Sequence, residues 1–163
     1  MKRALLTTMF IFALTLLGKA QTSGAHFFTV DATVTSNGDL AISFDEAGLG
    51  NGDINYTASA AAQAFYGCIN GGGNHPQATN KESVQAQTST NGTFKAKNGR
   101  VKGTLVLPVP PPPASFSCPG GQIAVLASVT YTGALLTDSS SGVSIEQADM
   151  TGTFSRTFFT FRK

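Results

Sequence analysis

The sequence contains no tryptophan, few charged residues, two histidines and two cysteines. Charged residues make up 12% of the chain, so neither a strongly acidic nor a strongly basic surface is expected. A metal site built from histidine would need both histidines together with further ligands. A Gly-x-Ser-x-Gly motif, the usual signature of a serine hydrolase, is also missing. These absences leave no strong catalytic motif in the chain.

Residues 1–20 have the features of a secretory signal peptide. A positively charged start is followed by an uncharged apolar run over residues 4–17, and Gly18 and Ala20 then provide the small residues that a signal peptidase reads. No second long apolar run follows, so we expect no transmembrane segment after processing. The remaining residues 21–163 suffice for a single domain, which we expect to be secreted or periplasmic.

Removal of the signal peptide also changes the charge of the protein. The formal charge of +2 includes Lys2, Arg3 and Lys19; without them 8 basic residues face 9 acidic ones, which gives a net charge of −1. Domains that bind nucleic acids carry a concentrated basic surface. We therefore expect no nucleic-acid partner.

Polar and apolar residues alternate along most of the mature chain, which is the pattern of half-buried β-strands. Two such runs flank Asn37-Gly38 and predict an N-terminal hairpin, and further turns are predicted at residues 91–92 and 97–99. The alanine-rich stretch 54–66 would tolerate a helix, but its two-residue period favours a strand. Seven to nine short strands predict an all-β, immunoglobulin-like antiparallel β-sandwich. The predicted strands cover residues 28–34, 40–44, 54–66, 84–88, 93–96, 101–107, 123–136, 143–145 and 153–161.

Prolines and cysteines constrain how these strands are connected. Five of the six residues from 108 to 113 are proline, which cannot join the interior of a sheet and instead predicts an extended crossover between two sheets. Cys68 and Cys118 are expected to form one disulfide in an oxidising compartment. This bond would close a loop of about 50 residues and stabilise the fold by roughly 4 kcal/mol. It would tie the end of one central strand to the start of another.

The segment from residue 67 to residue 81 is the leading candidate for a contact surface, because long loops on rigid scaffolds often carry recognition. Its glycines and polar side chains predict an irregular loop. Amide side chains suit hydroxyl-rich ligands, although the same residues also suit plain turns. The candidate binding residues are Asn70, Asn74, His75, Asn80 and Lys81.

Metal binding is an alternative hypothesis at two places. Cleavage after Ala25 would make His26 the N-terminal residue, and His26 with His75 could then bind copper in a histidine brace, as in copper-dependent oxidases and copper carriers. Cleavage after Ala20 argues against this alternative. Calcium is the second alternative, because oxygen ligands in a glycine-rich loop suit this ion, although the same residues also serve in turns. Its ligands would be Asp45, Glu46, Asn51, Asp53 and Asn55.

A small basic hairpin is predicted around Lys95, Lys97, Arg100 and Lys102. Lysine on the edge of a sheet commonly blocks unwanted strand pairing, which is the ordinary explanation for this pattern. A patch that binds an anionic glycan or surface is the alternative.

One stretch of the chain reads Tyr-Gly-Cys-Ile-Asn-Gly-Gly-Gly-Asn over residues 66–74, and a second reads Phe-Ser-Cys-Pro-Gly-Gly-Gln over residues 116–122. Together they resemble a group of small secreted microbial proteins that have no assigned activity. The likeness extends from about residue 44 to residue 158. It favours a disulfide between the two cysteines and a strand at 54–66, and it implies no site residues.

The leading functional hypothesis is a non-catalytic binding or structural module of the cell exterior or periplasm. Its partner would be a glycan, a cell-envelope component or another protein. The enzyme alternative is a copper histidine-brace oxidase, or a copper carrier. A small outer-membrane β-barrel is a further alternative, suggested by the alternating strands and the phenylalanines of residues 158–161, whereas the proline run and the lack of aromatic girdles argue against it.

Overall fold

The computed structural model describes residues 24–70, 72, 80–140, 143–145, 150 and 152–161. The predicted signal peptide and two predicted site residues, Asn74 and His75, lie outside these residues. The described residues contain no helix, and hence none that is long and apolar enough to cross a membrane. Their strands are β1 (His26–Val34), β2 (Leu40–Ala47), β3 (Asp53–Asn70), β4 (Lys81–Lys95), β5 (Arg100–Leu107), β6 (Gln122–Asp138), β7 (Val143–Ile145) and β8 (Thr153–Thr157).

The strands form two antiparallel sheets, which confirms the prediction of an all-β sandwich. The three-stranded sheet has the order β1-β2-β5, and the five-stranded sheet has the order β4-β3-β6-β7, with β8 also paired to β6. The inner faces of the two sheets contribute to one hydrophobic core. Within β3, every second side chain from Tyr56 to Tyr66 is buried, and the side chains between them point away from the core.

The alanine-rich stretch predicted as a strand forms most of β3. Four alanines on its inner side are almost completely buried. Their small side chains leave room for large buried residues of the other sheet, such as Leu40, Ile42 and Leu107. Packing between the sheets therefore outweighs the helix propensity of alanine in this stretch. The buried alanines are Ala58, Ala60, Ala62 and Ala64.

The turn predicted at Asn91-Gly92 is wrong, and the two strands predicted around it are one strand, β4. Asn91 and Gly92 pair with Thr57 and Tyr56 without a shift in register. A Cβ at Gly92 would lie 2.6 Å from Leu105 Cδ2, so a larger side chain would collide with the core. Close packing, rather than a reversal of the chain, therefore explains this glycine.

The turn predicted at residues 97–99 is confirmed. Asn98 and Gly99 have φ angles of 52° and 72°, as a two-residue turn of type I′ requires. Backbone hydrogen bonds join the two flanking residues in both directions. This turn carries the chain from the five-stranded sheet to the three-stranded sheet. The proline run at 108–113 lies on the return path, which confirms the predicted crossover.

Cys68 and Cys118 form the predicted disulfide. Cys68 lies near the end of β3, and Cys118 lies shortly before β6, the strand that pairs with β3. The bond therefore links the end of β3 to the segment just before β6. These two strands are neighbours in the middle of the five-stranded sheet.

The last predicted strand is too long. β8 ends at Thr157 rather than at residue 161. The backbone N–H groups of Phe158 and Phe159 both donate to the carbonyl oxygen of Ala127, at 2.8 Å and 3.1 Å, so the regular ladder stops there. The chain then continues across the outer side of the five-stranded sheet toward Gly67.

Candidate functional site

The outward side of the five-stranded sheet presents hydroxyl and amide side chains across four strands. Residues directly opposite one another in antiparallel strands point to the same side of a sheet. The outward residues of β3 therefore lie in rows with those of β4, β6 and β8, and we call this surface the hydroxyl–amide face. Its two central rows are Gln85–Gln63–Thr130–Ser155 and Gln87–Ala61–Thr132–Thr153, and its flanking rows are Ser89–Ser59–Leu135 and Ser83–Phe65–Ser128–Thr157.

No side chain in these four rows is charged. Lys81 and Lys95 lie at the two ends of β4, outside the rows. Glu82 is on the inner side, opposite the buried Tyr66. Arg156 of β8 also faces inward, where its Nη1 donates to the carbonyl oxygen of Val34 at 3.3 Å. The four rows therefore offer hydrogen-bonding groups but no positive or negative side chain.

The centre of the hydroxyl–amide face has free hydrogen-bonding groups. Gln85, Gln87, Thr130 and Thr132 have no side-chain hydrogen-bond partner among the described residues. Ala61 lies between them and is short, which leaves a shallow open depression of about 430 Å³. Amide and hydroxyl groups both donate and accept hydrogen bonds. The centre can therefore bind a ligand that offers both, such as a sugar.

Toward the Asn91 end, the side chains bond to one another instead. Thr57 Oγ1 donates to Asn91 Oδ1 at 2.8 Å. Thr93 Oγ1 likewise donates to Asn55 Oδ1 at 2.7 Å. The side chains at this end are therefore less available to a ligand than Gln85, Gln87, Thr130 and Thr132 of the central rows.

The opposite end of the face is covered by the C-terminal segment. The ring of Phe161 lies directly over Gly67, where any Cβ would overlap it. Phe161 also contacts Phe65 edge-on with ring centroids 6.1 Å apart, and Lys81 Nζ lies 5.1 Å from the centre of the Phe161 ring. Both rings are half-buried, so this end of the face adds apolar surface to the amides and hydroxyls.

The structure describes three of the five predicted binding residues. Asn70 ends β3, Asn80 immediately precedes β4, and Lys81 begins β4. Because β3 and β4 are antiparallel neighbours, these residues lie at the same end of the five-stranded sheet, where Lys81 lies beside Phe161. The contributions of Asn74 and His75 remain predictions.

A second candidate site is a buried carboxylate between the two sheets. Glu46 is 0% exposed, and its Oε2 accepts a 2.6 Å hydrogen bond from the Tyr56 hydroxyl. Its Oε1 has no hydrogen-bond partner among the described residues. Burial raises the pKa of Glu46, the Tyr56 hydrogen bond opposes this change, and the Asp138 carboxylate adds to it. Folding therefore shifts the protonation equilibrium of Glu46 toward its neutral form.

Aromatic rings enclose this buried pair. The Tyr56 ring lies 4.4 Å from Phe44 and 5.7 Å from Phe94, measured between centroids. Burial also raises the pKa of Tyr56, and the hydrogen bond to Glu46 raises it further. A substrate cannot reach either group while both side chains are enclosed, so the pair contributes to the core rather than to surface chemistry.

Asp45 and Glu46 point to opposite sides of β2, as adjacent strand residues do. Arg100 donates to both carboxylate oxygens of Asp45, with a distance of 2.6 Å from Nε to Oδ1, and Lys102 Nζ lies 3.2 Å from Oδ2. The hydrogen bond from Arg100 is the largest factor that lowers the pKa of Asp45 to about 2. These two predicted calcium ligands therefore do not converge. Within the described part of the chain, no group of three His, Cys, Asp or Glu side chains is placed to hold a metal.

The predicted copper ligand His26 lies exposed at the start of β1. Its Nδ1 donates to the carbonyl oxygen of Gly24 at 2.6 Å, and its ring lies 5.0 Å from that of Phe28. A histidine brace would also need the main-chain amine of His26, which is bonded to Ala25 in the full chain. Since His75 lies outside the described residues, the copper site remains a prediction.

The four residues of the predicted basic hairpin divide into two pairs. Arg100 and Lys102 are engaged by Asp45. Lys95 and Lys97 are exposed and form no ion pair with any described residue. What remains is a small positive patch at the edge of the sandwich, away from the centre of the hydroxyl–amide face.

The hydroxyl–amide face is absent from the sites predicted from the sequence. The alternation of Gln85, Gln87 and Ser89 with inward residues is visible in the sequence, as is the lack of charge over residues 83–93. The sequence does not reveal that the uncharged sides of four strands lie next to one another, because the order of the strands depends on long-range pairing.

No known protein family, curated protein or solved structure matches this chain. The function is therefore inferred from the geometry and chemistry of the molecule itself.

Proposed function

We propose that the protein is a secreted or periplasmic, non-catalytic binding module that holds a neutral polysaccharide on the hydroxyl–amide face. One observation carries this proposal. The four rows span four strands without a charged side chain, and four of their central side chains, Gln85, Gln87, Thr130 and Thr132, have no side-chain hydrogen-bond partner within the described structure. Such a surface favours an extended, uncharged ligand that is rich in hydroxyl groups.

The chemistry of the face matches that of a neutral glycan. Sugar hydroxyls both donate and accept hydrogen bonds, as the side chains of Gln85, Gln87, Thr130 and Thr132 do. Binding would not require a charged side chain to lose its water. The amide and hydroxyl groups that do lose water can form hydrogen bonds to the ligand instead. The half-buried rings at the Phe161 end would contact the apolar faces of sugar rings.

Two further features support the fold and the compartment in this proposal. The two packed antiparallel sheets, with orders β1-β2-β5 and β4-β3-β6-β7, resemble the paired sheets of immunoglobulin-like sandwiches. The disulfide is of the kind that forms and persists in oxidising compartments.

Depletion of the protein from solution by insoluble polysaccharides tests the proposal. The exported protein is mixed with cellulose, chitin or an insoluble β-glucan, and the unbound fraction is measured. Ala61→Arg places a long charged side chain in the central depression and is expected to abolish binding. Thr33→Lys is the matched control, because Thr33 is an exposed strand residue of the three-stranded sheet.

Depletion of the parent protein and of the Thr33→Lys variant, but not of Ala61→Arg, would support the proposal. Thermal unfolding followed by circular dichroism would show that both variants remain folded. Failure of every neutral polysaccharide to deplete the parent would overturn the proposed ligand class. Equal depletion of the Ala61→Arg variant and the parent would overturn the proposed surface.

A further inference from the structure

β4 lies at the edge of the five-stranded sheet and pairs with β3 on one side only. All 15 residues of β4 pair with β3 in one uninterrupted register. Outside the strand ladders, no backbone hydrogen bond between described residues involves residues 83–94. The outer row of N–H and C=O groups on β4 is therefore unpaired within the described structure, which makes this edge a template for another strand.

The other sheet edges carry features that hinder strand addition. β1 has a shift in register between Phe27 and Thr29. β5 carries two positive charges and is followed directly by proline. β7 and β8 are only 3 and 5 residues long. Between residues 83 and 93, β4 has no charge, no proline and no bulge.

The sequence of β4 is nearly symmetric about Ala86. Residues 83–89 read Ser-Val-Gln-Ala-Gln-Thr-Ser, which is the same in both directions except for one valine–threonine exchange. Two such strands related by a two-fold axis at Ala86 would place serine opposite serine and glutamine opposite glutamine. Like charges would not meet, because Lys81 of one strand would face Asn91 of the other.

We propose that a second copy of this chain pairs with β4 along this edge and joins the two five-stranded sheets into one. The pairing would cover the exposed Ala86 and the half-buried Val84 of both copies. In this register the two-fold axis is perpendicular to the sheet, so both hydroxyl–amide faces lie on the same side. The dimer does not depend on polysaccharide binding, but it would double the length of the uncharged surface.

Sedimentation equilibrium of the exported protein over a range of concentrations, without any glycan, tests this proposal. In the proposed register, Gln85 of one copy faces Gln87 of the other. The variant Gln85→Lys/Gln87→Lys would therefore place lysine opposite lysine at two points, and loss of the dimer is expected. An equimolar mixture with Gln85→Glu/Gln87→Glu should restore a dimer, now with lysine opposite glutamate. Thr130→Lys/Thr132→Lys is the matched control, because it adds the same charge on β6 and should leave the dimer intact.

Cross-linking tests the register itself. Ala86→Cys would place two thiols opposite each other with Cα atoms about 4.5–5.5 Å apart, within reach of a disulfide. Ser89→Cys on the same strand is the control, since its two copies would lie six residues apart, about 20 Å. Covalent dimers of Ala86→Cys alone would support the two-fold pairing. The proposal would be overturned if the parent were monomeric at all concentrations, or if Thr130→Lys/Thr132→Lys dissociated as readily as Gln85→Lys/Gln87→Lys. Equal cross-linking of Ala86→Cys and Ser89→Cys would also overturn it.

Discussion

Asp45 and Glu46 are adjacent residues in opposite electrostatic surroundings. The hydrogen bond from Arg100 lowers the pKa of Asp45 to about 2, whereas burial raises that of Glu46. The contribution of Asp45 to stability is present above its ordinary pKa of 3.8 and is lost as pH falls toward 2. The contribution of Glu46 has the opposite sign: it is present below 4.5 and is lost as pH rises through the raised pKa of the folded state. Alternation along one strand thus produces two opposite pH dependences.

Glu46→Gln is expected to remove the contribution of Glu46 to the pH dependence of stability above pH 4.5. Glutamine does not titrate, and Asp45, with an ordinary pKa of 3.8, is largely ionised in both the folded and the unfolded state above pH 4.5. The variant should therefore gain stability relative to the parent as pH increases. Chemical unfolding over a pH series measures this difference. The same slope in both proteins would show that Glu46 is not held in its neutral form.

Tyr56→Phe is expected to lower the free energy of unfolding by about 1–3 kcal/mol, because it leaves the buried Glu46 carboxyl without its hydrogen-bond donor. Since that hydrogen bond lowers the pKa of Glu46, the variant should also show a steeper decline of stability with pH. Tyr131→Phe is the matched control. Its hydroxyl donates to the carbonyl oxygen of Gly38 at 2.8 Å, so its removal should change stability without changing the pH slope. Identical pH slopes in the two variants would contradict this assignment.

At the scale of the element, β3 could be predicted and β4 only in part. The two-residue period in β3 places every second side chain on the same side of a strand, where all of them can be buried. The pattern therefore predicts a strand despite the helix propensity of alanine. In β4, Asn91-Gly92 has the composition of a turn, but the glycine is required by Leu105 from the facing sheet. Such a contact between distant residues leaves no local signal in the sequence. The turn at Asn98-Gly99 could be predicted because it needs only its own backbone angles.

Gly92→Ala is expected to destabilise the protein by about 1–3 kcal/mol, because its Cβ would force Leu105 and Phe94 to move. In a strand without this crowding, alanine in place of glycine would instead stabilise by roughly 0.5–1 kcal/mol. Combining it with Leu105→Ala should recover part of the loss, which a double-mutant cycle of denaturant unfolding would measure. Purely additive effects would show that Leu105 does not explain the glycine.

Cys68→Ala/Cys118→Ala is expected to lower the free energy of unfolding by about 4 kcal/mol, since the disulfide closes a long loop in the unfolded chain. Cys68 is buried, so a small additional cost from lost packing is expected. Denaturant unfolding of the variant and of the oxidised parent gives the difference. A change near zero would mean that the two strand segments are held together without the bond.

At the scale of the whole molecule, charge is distributed unevenly. Buried or paired carboxylates lie near β2, a small positive patch lies around Lys95 and Lys97, and the four rows of the hydroxyl–amide face are uncharged. The sequence permits the prediction of low charge and of a hydroxyl-rich partner. From the sequence alone the contact is instead expected in the segment 67–81. Only the folded sheet reveals that the uncharged sides of four strands are neighbours.

Binding of a neutral oligosaccharide to this face should change little with salt, because no ion pair is there to be screened. Binding of an anionic glycan at Lys95 and Lys97 would instead weaken steeply between about 0.05 and 1 M sodium chloride. Isothermal titration calorimetry at both salt concentrations separates the two cases. Lys95→Ala/Lys97→Ala is the control and should bind like the parent. A strong salt dependence that this variant removes would mean that the protein binds an anionic ligand at the basic hairpin instead.

Chemical-shift mapping by NMR tests the proposed binding surface most directly. The titrant is a soluble oligosaccharide from the neutral polysaccharide that depletes the protein. Shift changes are expected at the backbone amides of Ala61, Gln63 and Thr130 and at the side-chain amides of Gln85 and Gln87. Changes confined to the basic hairpin or to the three-stranded sheet would contradict a ligand on the hydroxyl–amide face.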